Sequence, residues 1–231
     1  MPRLRDLQEF YKLLGLLAEH IGGTRRLETC TGRMSWPKHG VYFFFERGEP
    51  RSDTGLGDRV VRVGTHALTE TSKTTLWHRL SQHRGTQSTS GGNHRGSIFR
   101  LLVGEALGRR EPALALSSWG TGQTAAGENR MSEHVHEMRV SRYLGDMSIV
   151  WLPVPTDERG RLAGAYVERN AIALLSNYDR PPLDAASTEW LGRFSDRPRV
   201  RLSGLWNQNH VEETHDPAFL DQFARHVEVV G

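Results

Sequence analysis

Apolar residues recur at three- and four-residue steps near the start of the chain: Leu7, Phe10, Tyr11, Leu14, Leu17, Ala18 and Ile21. That spacing predicts one helix over 5–22, closed by Gly22-Gly23. Residues 24–39 are polar and irregular. Gly40 then opens the aromatic run Val41-Tyr42-Phe43-Phe44-Phe45, a buried strand by composition. A turn-rich stretch over 47–58 separates it from a second strand, Arg59 to Gly64, giving a hairpin with a long loop. Leu76, Trp77 and Leu80 mark the next helix, capped by Ser72 or Thr74 and ending near Gly85. Further helices are expected over 98–108, 131–144, 163–177 and 217–227, with a strand over 147–154. Residues 85–97 and 111–130 read as loops. The pattern predicts an α/β (α+β) fold: a small mixed, mainly antiparallel three-stranded sheet flanked by helices, with a helical insertion and a C-terminal extension.

Composition narrows the classes. The 231 residues fit one large domain, and no apolar run approaches the ~18 residues that span a bilayer. The N-terminus is amphipathic, so a cytoplasmic protein without a membrane partner is expected. Cys30 is the only cysteine, which excludes an intrachain disulfide and a cysteine zinc cluster. Thirty basic residues stand against 27 acidic ones, a net charge of +3 that does not by itself argue for nucleic acid. Of the thirty, only Lys12, Lys38 and Lys73 are lysines. Arginine's planar fork suits phosphate and base edges, although a compositional bias of the genome gives the same count.

Several residues offer chemistry. Arg79 and His83, four apart on one helix, share a face and suit a phosphate. Tyr42 projects a hydroxyl from a rigid strand. Glu168, early in an apolar helix, is the donor type a hard divalent cation takes, and Mg²⁺ commonly needs only one or two carboxylates. Taken in order, Gly40-Val41-Tyr42, Arg62-Val63-Gly64, Arg79 with His83, and Glu168 resemble the GIY-YIG nuclease superfamily. The resemblance covers 40–84 and 147–185. It implies a catalytic domain over 40–185 with a helical insertion at 85–146, an N-terminal helical extension over 1–39 and a C-terminal extension over 186–231.

What the resemblance implies can be stated residue by residue. Tyr42 orients or deprotonates the attacking water. Glu168 holds Mg²⁺ or Mn²⁺. Arg79 and His83 stabilise the phosphate or help protonate the leaving oxygen. The family's asparagine corresponds to Asn177 or Asp184, with Asn170 a third choice. At the second triplet this chain departs from the family: Arg62 stands where the family has tyrosine. Arginine stays protonated and cannot act as a base. Either that role is dispensable, or Lys73 or His66 takes it, or catalysis is lost.

Outside these motifs, Arg84, His94, Arg95, Asn207 and Asn209 are candidate nucleic-acid contacts. His94 and Arg95 lie in a basic, glycine-rich loop, and Asn207 and Asn209 have side chains that can read adenine. His134 and His136 point about 200° apart on a helix and cannot share a metal there. Glu133 and Glu137 read as a solvated helix face. The expected function is a metal-dependent DNA endonuclease. Its large additions suggest a restriction-type enzyme, and cutting both strands would suit a homodimer. Two rivals stand beside it: a nucleic-acid-binding module that has lost catalysis, and an enzyme acting on a small phosphorylated molecule.

Overall fold

A computed structural model describes residues 2–66, 75–122, 124, 127–155 and 158–231, with Gly160 and Arg161 as backbone only. Lys73 lies outside the described residues. The helices among them are α1 (Pro2–His20), α2 (Leu76–Arg84), α3 (Ile98–Arg110), α4 (Gly127–Asp146), α5 (Glu158–Leu175), α6 (Pro198–Ser203) and α7 (Phe219–Val230). The strands are β1 (Arg25–Arg26), β2 (His39–Pro50), β3 (Asp58–Thr65) and β4 (Ser148–Val154). They form one sheet in the order β1-β4-β2-β3. All three pairings are antiparallel, so the sheet is not mixed, and the two-residue β1 makes it four-stranded.

Alternation along the strands sends side chains to opposite faces. Val41, Phe43, Val63, Val150 and Leu152 face one way and pack with Phe10 and Leu14 of α1, Val167 and Ile172 of α5, and Phe219 and Phe223 of α7. Tyr42, Phe44, Val61, Ile149 and Trp151 face the other way, against Leu80 of α2, Phe99 and Leu102 of α3, Val140 of α4, and Trp190 and Trp206. Helices therefore cover both faces, and α1 and α7 belong to the same apolar cluster as the sheet.

The hairpin differs from the sequence reading. β2 runs on to Pro50, with bulges after Phe44 and Phe45, and pairs Pro50 with Asp58. The connection shrinks to 51–57. Polar residues can continue this strand because Glu46 and Glu49 are buried with partners. Trp190 Nε1 donates to Glu46 at 3.0 Å, and Arg59 holds Glu49 at 2.8–3.0 Å.

β3 is an edge strand, which would leave backbone groups open. The C-terminal segment closes it. Trp206 N–H donates to the Val61 carbonyl at 2.7 Å. The Asn207 amide then takes both groups of one residue: Val63 N–H donates to its Oδ1 at 3.1 Å, and its Nδ2 donates to the Val63 carbonyl at 2.8 Å.

Candidate active site

Two glycines open the site. Gly40 pairs with Pro153 across β2 and β4, and a Cβ there would lie 2.7 Å from the Leu152 carbonyl oxygen. Gly64 pairs with Tyr42, and a Cβ there would lie 2.3 Å from the Tyr42 hydroxyl. The tyrosine ring occupies the space a side chain at 64 would fill. Tyr42 is thereby buried, with its hydroxyl 2.9 Å from His83 Nε2. His83 Nδ1 lies 2.7 Å from Ser97 Oγ, the N-cap of α3. Burial pushes the His83 imidazole well below its ordinary pKa, and the nearby Arg79, Arg62 and Arg100 push the same way. The ring is therefore neutral at pH 7 and carries one proton. With that proton on Nδ1, donated to Ser97 Oγ, Nε2 accepts from the Tyr42 hydroxyl.

Arg62 sits opposite Phe44 on β3, on the sheet face that Tyr42 occupies and diagonal to it. Its Nη1 donates to the Trp206 carbonyl at 2.5 Å, and its guanidinium lies 4.8 Å from the centre of the Phe99 ring. Burial lowers its pKa, while Tyr42 and Glu168 favour its charge. The buried Nε has no hydrogen-bond partner among the described residues. A guanidinium whose donors are incompletely met can accept an anion as a further partner.

Glu168 on α5 and Arg62 line one cavity of about 260 Å³, with Thr65, Asn209 and His210, and are close enough to act on each other's charge. Burial raises its carboxyl above the ordinary range, against Arg62, His210, the Thr65 backbone N–H and Arg79, all of which favour its ionised form. Arg79, half-buried on α2, bonds Gln82 Oε1 at 3.0 Å and the Gly96 carbonyl at 3.2 Å. It lies near enough to act on His83, Arg62 and Glu168. Tyr42, Arg62, Arg79, His83 and Glu168 are thus brought together from four elements.

Other candidates lie elsewhere. Asn177 bonds Arg3 at 2.8 Å and the backbone of Leu183 at 2.9 and 3.0 Å. Asp184 accepts from the backbone of Asp53 and Thr54. Asn170 holds the Asp216 N–H at 2.8 Å. All three amides or carboxylates serve turns. His66 Nε2 bonds the Lys38 carbonyl at 2.8 Å. Arg84 bonds the Cys30 carbonyl and covers the Trp77 ring.

The basic loop is not free to meet a ligand. His94 is buried, stacks on Trp119 at 3.8 Å and bonds Glu137 at 2.9 Å. Arg95 is paired with Glu133 at 2.6 and 2.9 Å. Asn207 lines the cavity, but its amide is spent on Val63. Asn209 is exposed at the cavity rim. Sequence reasoning assigned nothing to Ser97, which reads as an ordinary helix cap; His210 closes the polar run Asn207-Gln208-Asn209-His210, which the sequence offered as a DNA contact or a completion of the site, and it lines the cavity.

Among the described residues no group of three or more histidine, cysteine or acidic side chains is placed to hold a metal. No described helix is long and apolar enough to cross a membrane. No curated protein and no solved structure gives a significant match to the chain. A family comparison does: the GIY-YIG domain matches over residues 1–230, which takes in both flanks as well as the motif-bearing centre. The match spans nearly every residue, and the chain belongs to the GIY-YIG domain family, whose function is in general of nuclease type.

Proposed function

We propose that this protein is a metal-dependent endonuclease that hydrolyses DNA phosphodiester bonds in the cavity between Arg62 and Glu168. The observation that carries the reading is an arginine and a carboxylate on one cavity, with a hydrogen-bonded Tyr42–His83 pair behind them, close enough to act on that arginine. Hydrolysis needs an activated water, charge on the phosphate and a path for the proton. Tyr42 orients the water. Its hydroxyl donates to the neutral His83 Nε2, which fixes the phenolic oxygen toward that water, and Arg62 lies close enough to favour negative charge on it. His83 therefore serves the tyrosine, not the leaving oxygen. Arg62 and Arg79 take the phosphate oxygens, so the residue that replaces the family's second tyrosine contributes charge where a hydroxyl would stand.

The donor set suits a hard cation. Glu168 is the carboxylate on the cavity, and about 260 Å³ leaves room for the waters that Mg²⁺ or Mn²⁺ retains. Bound there, the ion would supply positive charge to the phosphate and lower the pKa of a bound water.

The test is cleavage of plasmid and oligonucleotide DNA by purified protein with Mg²⁺ or Mn²⁺, beside Tyr42→Phe and Glu168→Gln. Loss of Tyr42 is expected to lower the rate by ~10²–10⁴-fold. Equal cleavage by all three proteins would place the chemistry elsewhere. DNA binding without cleavage in either metal would favour a binding module, the reading that Arg62 in a tyrosine position suggests. Cutting at defined sequences, as a restriction-type enzyme does, is the narrower form of the proposal, and a discrete fragment pattern would mark it.

A further inference from the structure

His210 lies outside the family motifs, yet it lines the same cavity as Glu168 and is near enough to favour that carboxylate's ionised form. Its position is fixed from both sides. Three residues earlier Asn207 clamps β3, and one residue later the Val211 carbonyl accepts from Ser176 Oγ at 2.7 Å. The backbone at 210 is left-handed, with φ +64°, a region histidine enters more readily than most residues. The ring itself is also oriented. Its Nδ1 lies 2.7 Å from Glu213 Oε1, while Arg169, the neighbour of Glu168 on α5, holds the other Glu213 oxygen. Glu213's backbone carbonyl accepts from Arg180 at 2.9 Å. With Nδ1–H given to Glu213, the free lone pair is on Nε2, which has no hydrogen-bond partner among the described residues.

A histidine that donates one ring nitrogen to a carboxylate and leaves the other open beside a second carboxylate is the arrangement of a metal-ligating imidazole. We infer that His210 Nε2 is a second protein ligand, beside Glu168, for the divalent cation, with Glu213 and Arg169 as positioning residues. The inference rests on the nuclease reading for the presence of a cation at Glu168. It adds the identity of the second ligand and a preference among metals. An imidazole favours Mn²⁺ over Mg²⁺, because Mg²⁺ takes oxygen ligands almost exclusively. Arg62 lines the same cavity, so a phosphate held there would have both positive charges to meet.

The test measures the metal directly on the full chain. Mn²⁺ and Mg²⁺ binding is followed by calorimetry, and Mn²⁺-bound protein by pulsed electron paramagnetic resonance, for wild type, His210→Asn, Glu213→Gln and Glu168→Gln. Asparagine accepts the left-handed backbone, so His210→Asn keeps the local fold, and its melting temperature checks this. Wild type is expected to bind Mn²⁺ more tightly than Mg²⁺ and to show coupling to an imidazole nitrogen. His210→Asn should lose the coupling and about tenfold or more of Mn²⁺ affinity, and Glu213→Gln about tenfold. Absence of nitrogen coupling in wild type, equal Mn²⁺ affinity in His210→Asn, or no metal binding at all would each overturn the inference. Mn²⁺ binding with the expected coupling but no DNA cleavage would instead sink the nuclease reading and leave the ligand assignment standing.

Discussion

Gly64→Ala is a small change at the closest approach in the site. The added Cβ would sit 2.3 Å from the Tyr42 hydroxyl, 2.4 Å from Cζ and 2.8 Å from Cε2. Comfortable carbon contacts need ~3.5–4.0 Å, so the hydroxyl end of the ring must move by about 1 Å or more. It has little room, because Phe44 and His83 box it at ring-centre distances of 5.6 and 5.5 Å. A shift of that size breaks or bends the 2.9 Å bond to His83. Overpacking costs ~1–3 kcal/mol and the lost hydrogen bond ~0.5–1.5, while replacing a strand glycine returns ~0.5–1. The net is about 2 kcal/mol, which for a chain of this size lowers the melting temperature by ~4–8 °C. Cleavage should fall by ~10²-fold, the effect of a 1 Å misplacement in a reacting group. Thermal unfolding and cleavage are measured for Gly64→Ala alone and with Tyr42→Ala. Once the ring is gone those three close contacts go with it, so the alanine should cost little in that background, a coupling of ~1–3 kcal/mol. If alanine at 64 costs the same stability with and without the ring, the ring-to-glycine contact is not what the position is for.

Three more expectations follow from the same geometry. Arg62→Tyr restores the family's residue but removes the donor to the Trp206 carbonyl, so it should cost ~1–3 kcal/mol and lower cleavage; a variant at least as stable and active as wild type would remove Arg62 from the mechanism. Asn207→Ala leaves the Val63 N–H and carbonyl without their amide, and denaturant melts should show a loss of ~2–4 kcal/mol, with unchanged stability counting against the clamp. His83 is held neutral in the fold but takes up a proton near its ordinary pKa of ~6.5 when unfolded, so its contribution makes stability fall as pH drops below ~6.5. Comparing wild type with His83→Gln between about pH 7.5 and 5.5, either side of the ordinary histidine value, isolates this effect from Glu46 and Glu168, whose raised values act with opposite sign. Parallel pH dependence in the two proteins would contradict it.

Strand periodicity carried much of the fold, the ordered motifs named residues that the structure brings near one another, and what they missed has a common physical cause. β1 is two residues long, too short for any period to register. β2 looked finished at Phe45 because Glu46, Glu49 and Pro50 resemble a turn, yet the partners that bury Glu46 and Glu49 include Trp190, Trp206 and Ser187, more than 130 residues away. Two separate readings failed together. Glu133 and Glu137 looked like a solvated helix face, and His94 and Arg95 looked like a basic loop open to DNA. The fold pairs one set with the other, Arg95 with Glu133, and His94 and Arg100 with Glu137. Charges judged one at a time appear exposed. Paired across the chain, they are buried and neutralise one another.

The same logic ties the departure at the second motif to the C-terminal segment. Burying a guanidinium is costly unless donors are met and charge is balanced. At Arg62 the Trp206 carbonyl meets one donor, the Phe99 face covers the plane and Glu168 balances the charge. A tyrosine at 62 would bury no charge and would not need the Trp206 carbonyl as an acceptor. The carbonyl comes from the segment that also closes the β3 edge through Asn207 and brings His210 to the cavity. The arginine and the tail are therefore one structural unit. The tail makes a buried cation tolerable where the family places a phenol, and among the described residues the Arg62 Nε is left without a partner.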